Sequence, residues 1–400
     1  MFHQFKYIFL FFLSLILLIN LESQKLLSSP VSSELRGVWL TNIDSDILFS
    51  KQKLSESIVT LKELNFNTLY PTVWNWGYTL YPSQVAQKVI GKKIDPTEAL
   101  QNRDIVKEIV QQGHKKGMTV IPWFEFGFMA PADSELAKRH PEWLTQRQDK
   151  STTWLEGKVH QRVWLNPLHP EVQKFITDLV VELLNNYDVD GIQFDDHFGY
   201  PSDFGYDSLT VQLYQQEHQG KLPPTNHLDK DWIQWRADKI TAYMEQLFKA
   251  IKQTKSNVIV SVSPNPQTFS LEAFLLDWHQ WERMGLIEEL VIQIYRSNIN
   301  DYIRELQKSE LQLAKTHIPV GIGILAGLKG RTVNRDQITE QVKIARENGF
   351  AGVSFFFYES LWNMADEPAE KRRTLFKELF PTSSNHPNLI RGWSPQASKG

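Results

Sequence analysis

Short apolar runs closed by turn residues recur along the chain at 35–41, 67–73, 118–125, 191–196, 257–263, 290–295, 318–325 and 352–358, and each reads as a strand. Between them, apolar positions recur with helical period at 51–64, 96–116, 170–187, 231–255, 271–284, 301–315 and 334–348, and a last helix is expected at 368–380. Asn65, Gly117, Asn186 and Gly349 stand where four of these helices should stop. Strands alternating with helices eight times over predict the α/β class, as a (β/α)8 TIM barrel. A doubly wound open sheet is the alternative, but no Gly-rich phosphate turn follows the first strand. The connections after strands three and four, 129–166 and 198–228, are too long to be mere connectors. Both carry aromatic residues and should rise from the rim where long loops shape a cleft.

The ends of the chain change the picture. A run of apolar residues at 8–19, preceded by His3 and Lys6, reads as a signal peptide or signal anchor within residues 1–24. A Ser-rich linker follows at 25–33, the barrel occupies 34–381, and the Pro-, Ser- and Asn-rich tail at 382–400 is expected to be loosely ordered or draped on the surface. Export to the periplasm, the cell envelope or the medium is therefore expected, with membrane contact only through the N-terminal segment. The net charge of −3 with interspersed signs leaves no footprint for nucleic acid. The absence of cysteine excludes a thiol nucleophile, disulfides and Cys-ligated zinc. Nothing in the sequence indicates an oligomeric state.

Candidate chemistry gathers at strand ends. In 190–198, Gln193, Asp195 and His197 share one face of strand four, while Ile192, Phe194 and Asp196 share the other. Ionised carboxylates are costly to bury alone, so a strand leaving through Asp195, Asp196 and His197 marks the floor of a site. Asp188 and Asp190 precede the strand and belong to the opposite, stabilising rim. Asp195 is read as catalytic against the bland alternative of an ion pair with Arg36 or Arg296. Asp196 either takes part or orients a neighbour. Glu125 closes strand three among Trp123, Phe124, Phe126 and Phe128, surroundings that raise a carboxyl pKa and suit a general acid. Glu359, closing strand eight, follows the same logic. Trp74 and Asn75 after strand two, with Trp123, His197, Asn265 and Tyr295, are candidates for holding a sugar. Histidines show no metal-ligand spacing, and no cofactor is implied.

Glu34-Leu-Arg-Gly-Val-Trp-Leu-Thr-Asn42, Pro122-Trp-Phe-Glu-Phe126, Trp164-Leu-Asn-Pro167 and Asp190-Gly-Ile-Gln-Phe-Asp-Asp-His197 together resemble the glycosyl-hydrolase-like 10 family. The resemblance spans roughly 34–360. It implies a (β/α)8 glycosidase, and for some bacterial members an envelope protein that cleaves peptidoglycan strands stripped of their peptides. Gly191-Ile-Gln-Phe-Asp195 is also similar to the strand-four motif of α-amylase-like barrels, whose last Asp is the nucleophile, which favours Asp195 over Asp196. Strand five departs from that pattern. It reads Ser-Val-Ser-Pro-Asn265 without the amylase-type Glu, so the acid has to be sought at Glu125 or Glu359.

These readings combine into an exported glycoside hydrolase acting on a polysaccharide through two carboxyl groups. Two other classes fit parts of the pattern. Strands five to seven lack a carboxylate, as a non-catalytic glycan-binding barrel would. Asp195, Asp196 and His197 are also residue types that a metal-dependent hydrolase would use as ligands.

Overall fold

The computed structural model describes residues 33–387; the expected signal segment, nearly all of the linker, and residues 388–400 of the tail lie outside the described residues. Eight parallel strands form one sheet: β1 (Leu35–Leu40), β2 (Thr68–Pro71), β3 (Thr119–Val120), β4 (Gly191–Asp195), β5 (Ile259–Ser263), β6 (Glu289–Gln293), β7 (Val320–Leu325) and β8 (Gly352–Phe356). Neighbours run β3-β2-β1-β8-β7-β6-β5-β4. The remaining edges meet through Asp190 N to Val120 O (3.0 Å), Gln193 N to Pro122 O (2.8 Å) and Phe124 N to Gln193 O (2.9 Å), which complete the barrel. β3 is shorter than its apolar run because Pro122 has no N–H to give to a ladder.

Each strand alternates between two cores. Outward residues such as Val38, Ile192, Phe194, Ile322 and Ile324 pack under the helices, whereas Leu35, Trp39, Tyr70, Ile121, Trp123 and Val291 fill the barrel interior. β7 shows why its inward positions are glycine. A Cβ on Gly321 would lie 2.3 Å from a Leu35 methyl, so the small residue admits the large one opposite.

The main helices are α1 (Lys51–Glu63), α2 (Ile105–Lys115), α3 (Pro170–Asn186), α4 (Lys230–Thr254), α5 (Trp278–Arg283), α6 (Ile299–Leu306), α7 (Arg335–Glu347) and α8 (Ala369–Leu379). Side-chain caps set their starts: Ser50, Asp104, Asp229 and Asn334 accept from backbone N–H groups two or three positions into α1, α2, α4 and α7. Asn65, Gly117 and Gly349 have positive φ just beyond α1, α2 and α7, as their residue types suggest, while Asn186 is simply the last residue of α3. Three predicted helices are interrupted. The cap at Asp104 starts α2 well after 96, Leu275 in the left-handed region ends Gln267–Phe274 before α5, and the 301–315 stretch divides between α6 and Ser309–Ala314. Among the described residues no helix is long and apolar enough to cross a membrane.

The start of the tail departs from expectation. Residues 382–386 are knitted into the N-terminal end of the barrel: Arg36 donates to Thr382 O (2.5 Å), Asn67 to Ser384 O (3.0 Å), and Glu34 N to Asn385 O (3.1 Å). His386 Nδ1 meets Thr68 Oγ1 at 2.9 Å and Nε2 meets Glu289 Oε2 at 3.0 Å. Buried Glu289 also accepts from Tyr70 (3.0 Å) and Ser261 (2.7 Å). Burial opposes its charge, but His386 and the two hydroxyls outweigh that and hold the carboxyl below its usual range.

Candidate active site

At the opposite, C-terminal end of the strands lies a cavity of about 300 Å3, lined by Trp123, Glu125, Asp195, Asp196, His197, Asn265, Gln293 and Tyr295 among others. The chain bends at the end of β3 so that Glu125 turns inward. Its Oε2 accepts from Asn75 Nδ2 (2.8 Å), Thr72 Oγ1 (2.9 Å) and Thr41 Oγ1 (3.1 Å), donors from the ends of β1 and β2. Burial pushes this carboxyl up and the threonine hydroxyls pull it down. The charge of Asp195 pushes it up again, to about 7. Glu125 therefore keeps its proton close to neutrality, as a general acid must.

Asp195 ends β4 on the same face as Gln193, whose amide is sunk in the barrel between Trp39 Nε1 (2.7 Å) and Ser261 Oγ (3.0 Å). Asp195 Oδ1 accepts from the His197 backbone (2.9 Å) and lies 3.2 Å from His197 Nδ1; Oδ2 accepts from Trp123 Nε1 (3.2 Å). Neither arginine considered from sequence is involved, since Arg36 pairs with Glu34 and Arg296 with Glu305. His197 Nδ1 also donates to the Glu125 carbonyl (2.7 Å). Burial works against the imidazolium, but the adjoining Asp195 carboxylate prevails and its pKa rises to about 9. The imidazole is thus anchored between the Asp195 carboxylate and the backbone carbonyl of Glu125.

Gly127 lets these elements meet. Its φ is +46°, and a Cβ there would lie 2.2 Å from His197 O.

Asp196 lines the cavity with both oxygens engaged. Oδ2 accepts from Asn265 N (2.9 Å) and Nδ2 (2.5 Å), and Oδ1 from Ser270 Oγ (2.5 Å). Burial raises its pKa to about 6 against these donors. It ties β4 to the β5 loop, the orienting alternative considered from sequence. Tyr295 stands close enough to Asp195, Asp196 and Glu125 for their charges to add to burial in raising its hydroxyl pKa. Trp123 and Asn265 also line the cavity.

Three expectations are corrected. Glu359 is not on the cavity: β8 turns into a short 3-10 segment, Tyr358–Leu361, and Glu359 accepts from Lys53 (2.5 Å), Ser45 (3.3 Å) and Asn363 (2.7 Å). Trp74 offers no face to a sugar, being fully buried with its indole N–H on Gly127 O (2.9 Å) and its ring edge-on to Phe175. Asn75 is buried too and serves Glu125 rather than substrate. Among the described residues no three His, Asp or Glu side chains are grouped to hold a metal ion, since the oxygens of Asp196 are directed at Asn265 and Ser270.

Sequence reasoning missed Thr41 and Thr72, whose signal was a hydroxyl residue just past an apolar run. It also missed Asp44 and Glu156, which join the lining. Glu156 arrives on a three-stranded antiparallel sheet, Met129–Pro131, Trp154–Glu156 and His160–Trp164, folded from the long connection after β3. Arg162 holds its carboxylate at 2.8 Å and lies over the Phe126 ring.

The profile of the glycosyl hydrolase-like 10 family matches residues 34–344, most of the barrel. The chain belongs to that family. It is similar to glycosyl hydrolase DigH of Escherichia coli strain K12, 24% identical over 308 residues covering 66% of each chain. It is likewise similar to glycosyl hydrolase YngK of Bacillus subtilis strain 168, 23% identical over 332 residues covering 72% of this chain and 60% of that protein. The match therefore spans just under two thirds of the length of these relatives. Among solved structures, the glycoside hydrolase domain of PgaB (BpsB) from Bordetella bronchiseptica superposes with a TM-score of 0.62 at 14% identity, covering 86% of this chain and 99% of that one. The catalytic domain of β-amylase from Paenibacillus polymyxa gives 0.61 at 11% identity, covering 88% and 98%. At such identities these two show a shared barrel fold.

Proposed function

We propose that this protein is an exported glycoside hydrolase that cleaves an extracytoplasmic polysaccharide, with peptide-free peptidoglycan strands as the first substrate to test. One observation carries the reading. Glu125, held protonated near neutrality by burial, shares a cavity with Asp195, a carboxylate fixed by N–H donors beside an imidazolium. Glycosidic cleavage uses such a pair across the bond, one carboxyl to protonate the leaving oxygen and the other as nucleophile or base. Glu125 takes the first role and Asp195 the second. His197 holds Asp195 in place, and Trp123, Asn265, Gln293 and Tyr295 present rings and hydrogen-bonding groups to the sugar. Family membership supports the reaction class. The substrate rests on the resemblance noted for envelope members of the family, and export on the N-terminal apolar run.

The test is incubation of the purified protein with a glycan panel led by peptide-free peptidoglycan strands, with products read by mass spectrometry. Shorter saccharides each gaining one water, absent with Asp195→Asn, are expected. Binding to a glycan without turnover would instead identify a glycan-binding barrel.

A further inference from the structure

Large apolar side chains left exposed are unremarkable when scattered over a surface. Here they are not scattered. Among the described residues they are Trp76, Leu155, Val159, Leu222, Leu228 and Phe269, and every one lies in a segment that follows β2, β3, β4 or β5, at the end of the barrel where the cavity opens. Of the six, Phe269 is the one in ring contact with a residue of the cavity wall.

One of these residues continues the cavity wall. Phe274 lines the cavity, with its ring centroid 5.9 Å from Trp164 and 6.4 Å from His197. Phe269 lies 5.9 Å beyond Phe274 and is 51% exposed. A row of rings therefore leaves the cavity over the short helix Gln267–Phe274. That helix is fastened to the catalytic strand: Ser270 Oγ donates to Asp196 Oδ1 (2.5 Å), and Phe274 O accepts from Tyr200 N (2.9 Å). Asp196 thus sets the position of the row relative to Asp195, which explains a buried carboxylate with every oxygen occupied next to a reacting one.

The cavity, at about 300 Å3, is at the small end for ligand pockets, so a polymer must run out over the rim. Sugar rings carry an apolar C–H face that stacks on aromatic rings, and the exposed Phe269 face is continuous with the cavity through Phe274. We propose that Phe274 and Phe269 form a flanking subsite that stacks the next sugars of the bound chain, so that the protein favours long glycans over disaccharides. This rests on the glycosidase reading and adds a chain-length preference to it.

The experiment compares wild type, Phe269→Ala and Phe269→Trp on peptide-free peptidoglycan strands separated into disaccharide and long fractions. Phe269→Ala is expected to lower kcat/KM on the long fraction roughly tenfold, the scale of one lost stacking contact, through KM. Turnover of the disaccharide should be unchanged, and Phe269→Trp should restore the long-chain rate. Equal loss on both fractions, or no loss on either, would overturn the subsite. Binding of the long fraction by Asp195→Asn, with and without Phe269→Ala, gives a readout independent of turnover. Binding weakened by the second change supports the subsite even if the wild type cleaves nothing, an outcome that overturns only the hydrolase assignment. Absence of binding to every fraction overturns both.

Discussion

Replacing Glu125 by Gln should abolish turnover and at the same time stabilise the fold, by an amount that depends on pH. The carboxyl is buried, and its pKa in the folded protein is raised from 4.5 to about 7. A raised acid pKa means that the folded state holds the proton more tightly than the unfolded chain, so stability is lost as pH climbs through this interval. One pKa unit corresponds to ~1.4 kcal/mol, so the full penalty of ionising Glu125 in place is on the order of 3 kcal/mol, reached above about pH 7. Little of it is present near pH 5. The amide of Gln avoids ionisation and still offers an oxygen to Asn75 and Thr72. Urea unfolding followed by tryptophan fluorescence at pH 5, 6, 7 and 8 measures this directly. The advantage of Glu125→Gln over wild type should grow by about 2–3 kcal/mol across that range. A difference that stays flat with pH would refute the claim that burial keeps Glu125 protonated, and with it the general-acid assignment.

Two further outcomes follow from the same reasoning. Removing the imidazole in His386→Ala strands the buried Glu289 carboxylate and should destabilise the protein by about 3–5 kcal/mol at pH 7. Because the folded pKa of Glu289 is depressed, its contribution is present above the unfolded value and lost on acidification, so the urea midpoints of variant and wild type should converge at low pH. Glu359→Gln removes the charge of a buried carboxylate hydrogen-bonded to the partly exposed Lys53, keeps an amide oxygen in its place, and should destabilise the protein by about 1–3 kcal/mol while leaving kcat/KM intact. A hundredfold fall in rate would return Glu359 to the catalytic pair.

What was legible in the sequence is what depends on local pattern. Strand alternation and helical period gave the barrel, because each strand must satisfy an interior and a helix-facing core at once, and this leaves its mark residue by residue. The place of Asp195 and Glu125 on one cavity was legible because a carboxylate at the end of an apolar strand has few structural explanations. Glu359 shared that signal but not its outcome, since a single 3-10 turn after β8 directs it to Lys53 on α1. The hairpin after β2 carries two tryptophans two residues apart; the left-handed turn at Trp76 leaves that ring 41% exposed while Trp74 is buried. No rule of composition distinguishes them. Glu156 and His386 reach their places through long connections, and their contacts depend on tertiary geometry that spacing does not encode.

Ser33 and Asn385 pair as a parallel bridge beneath the barrel, on the face opposite the cavity. Both ends of the described chain therefore leave from the floor. A tag or second protein fused to either end would attach on the side of the barrel away from the cavity and leave its mouth unobstructed.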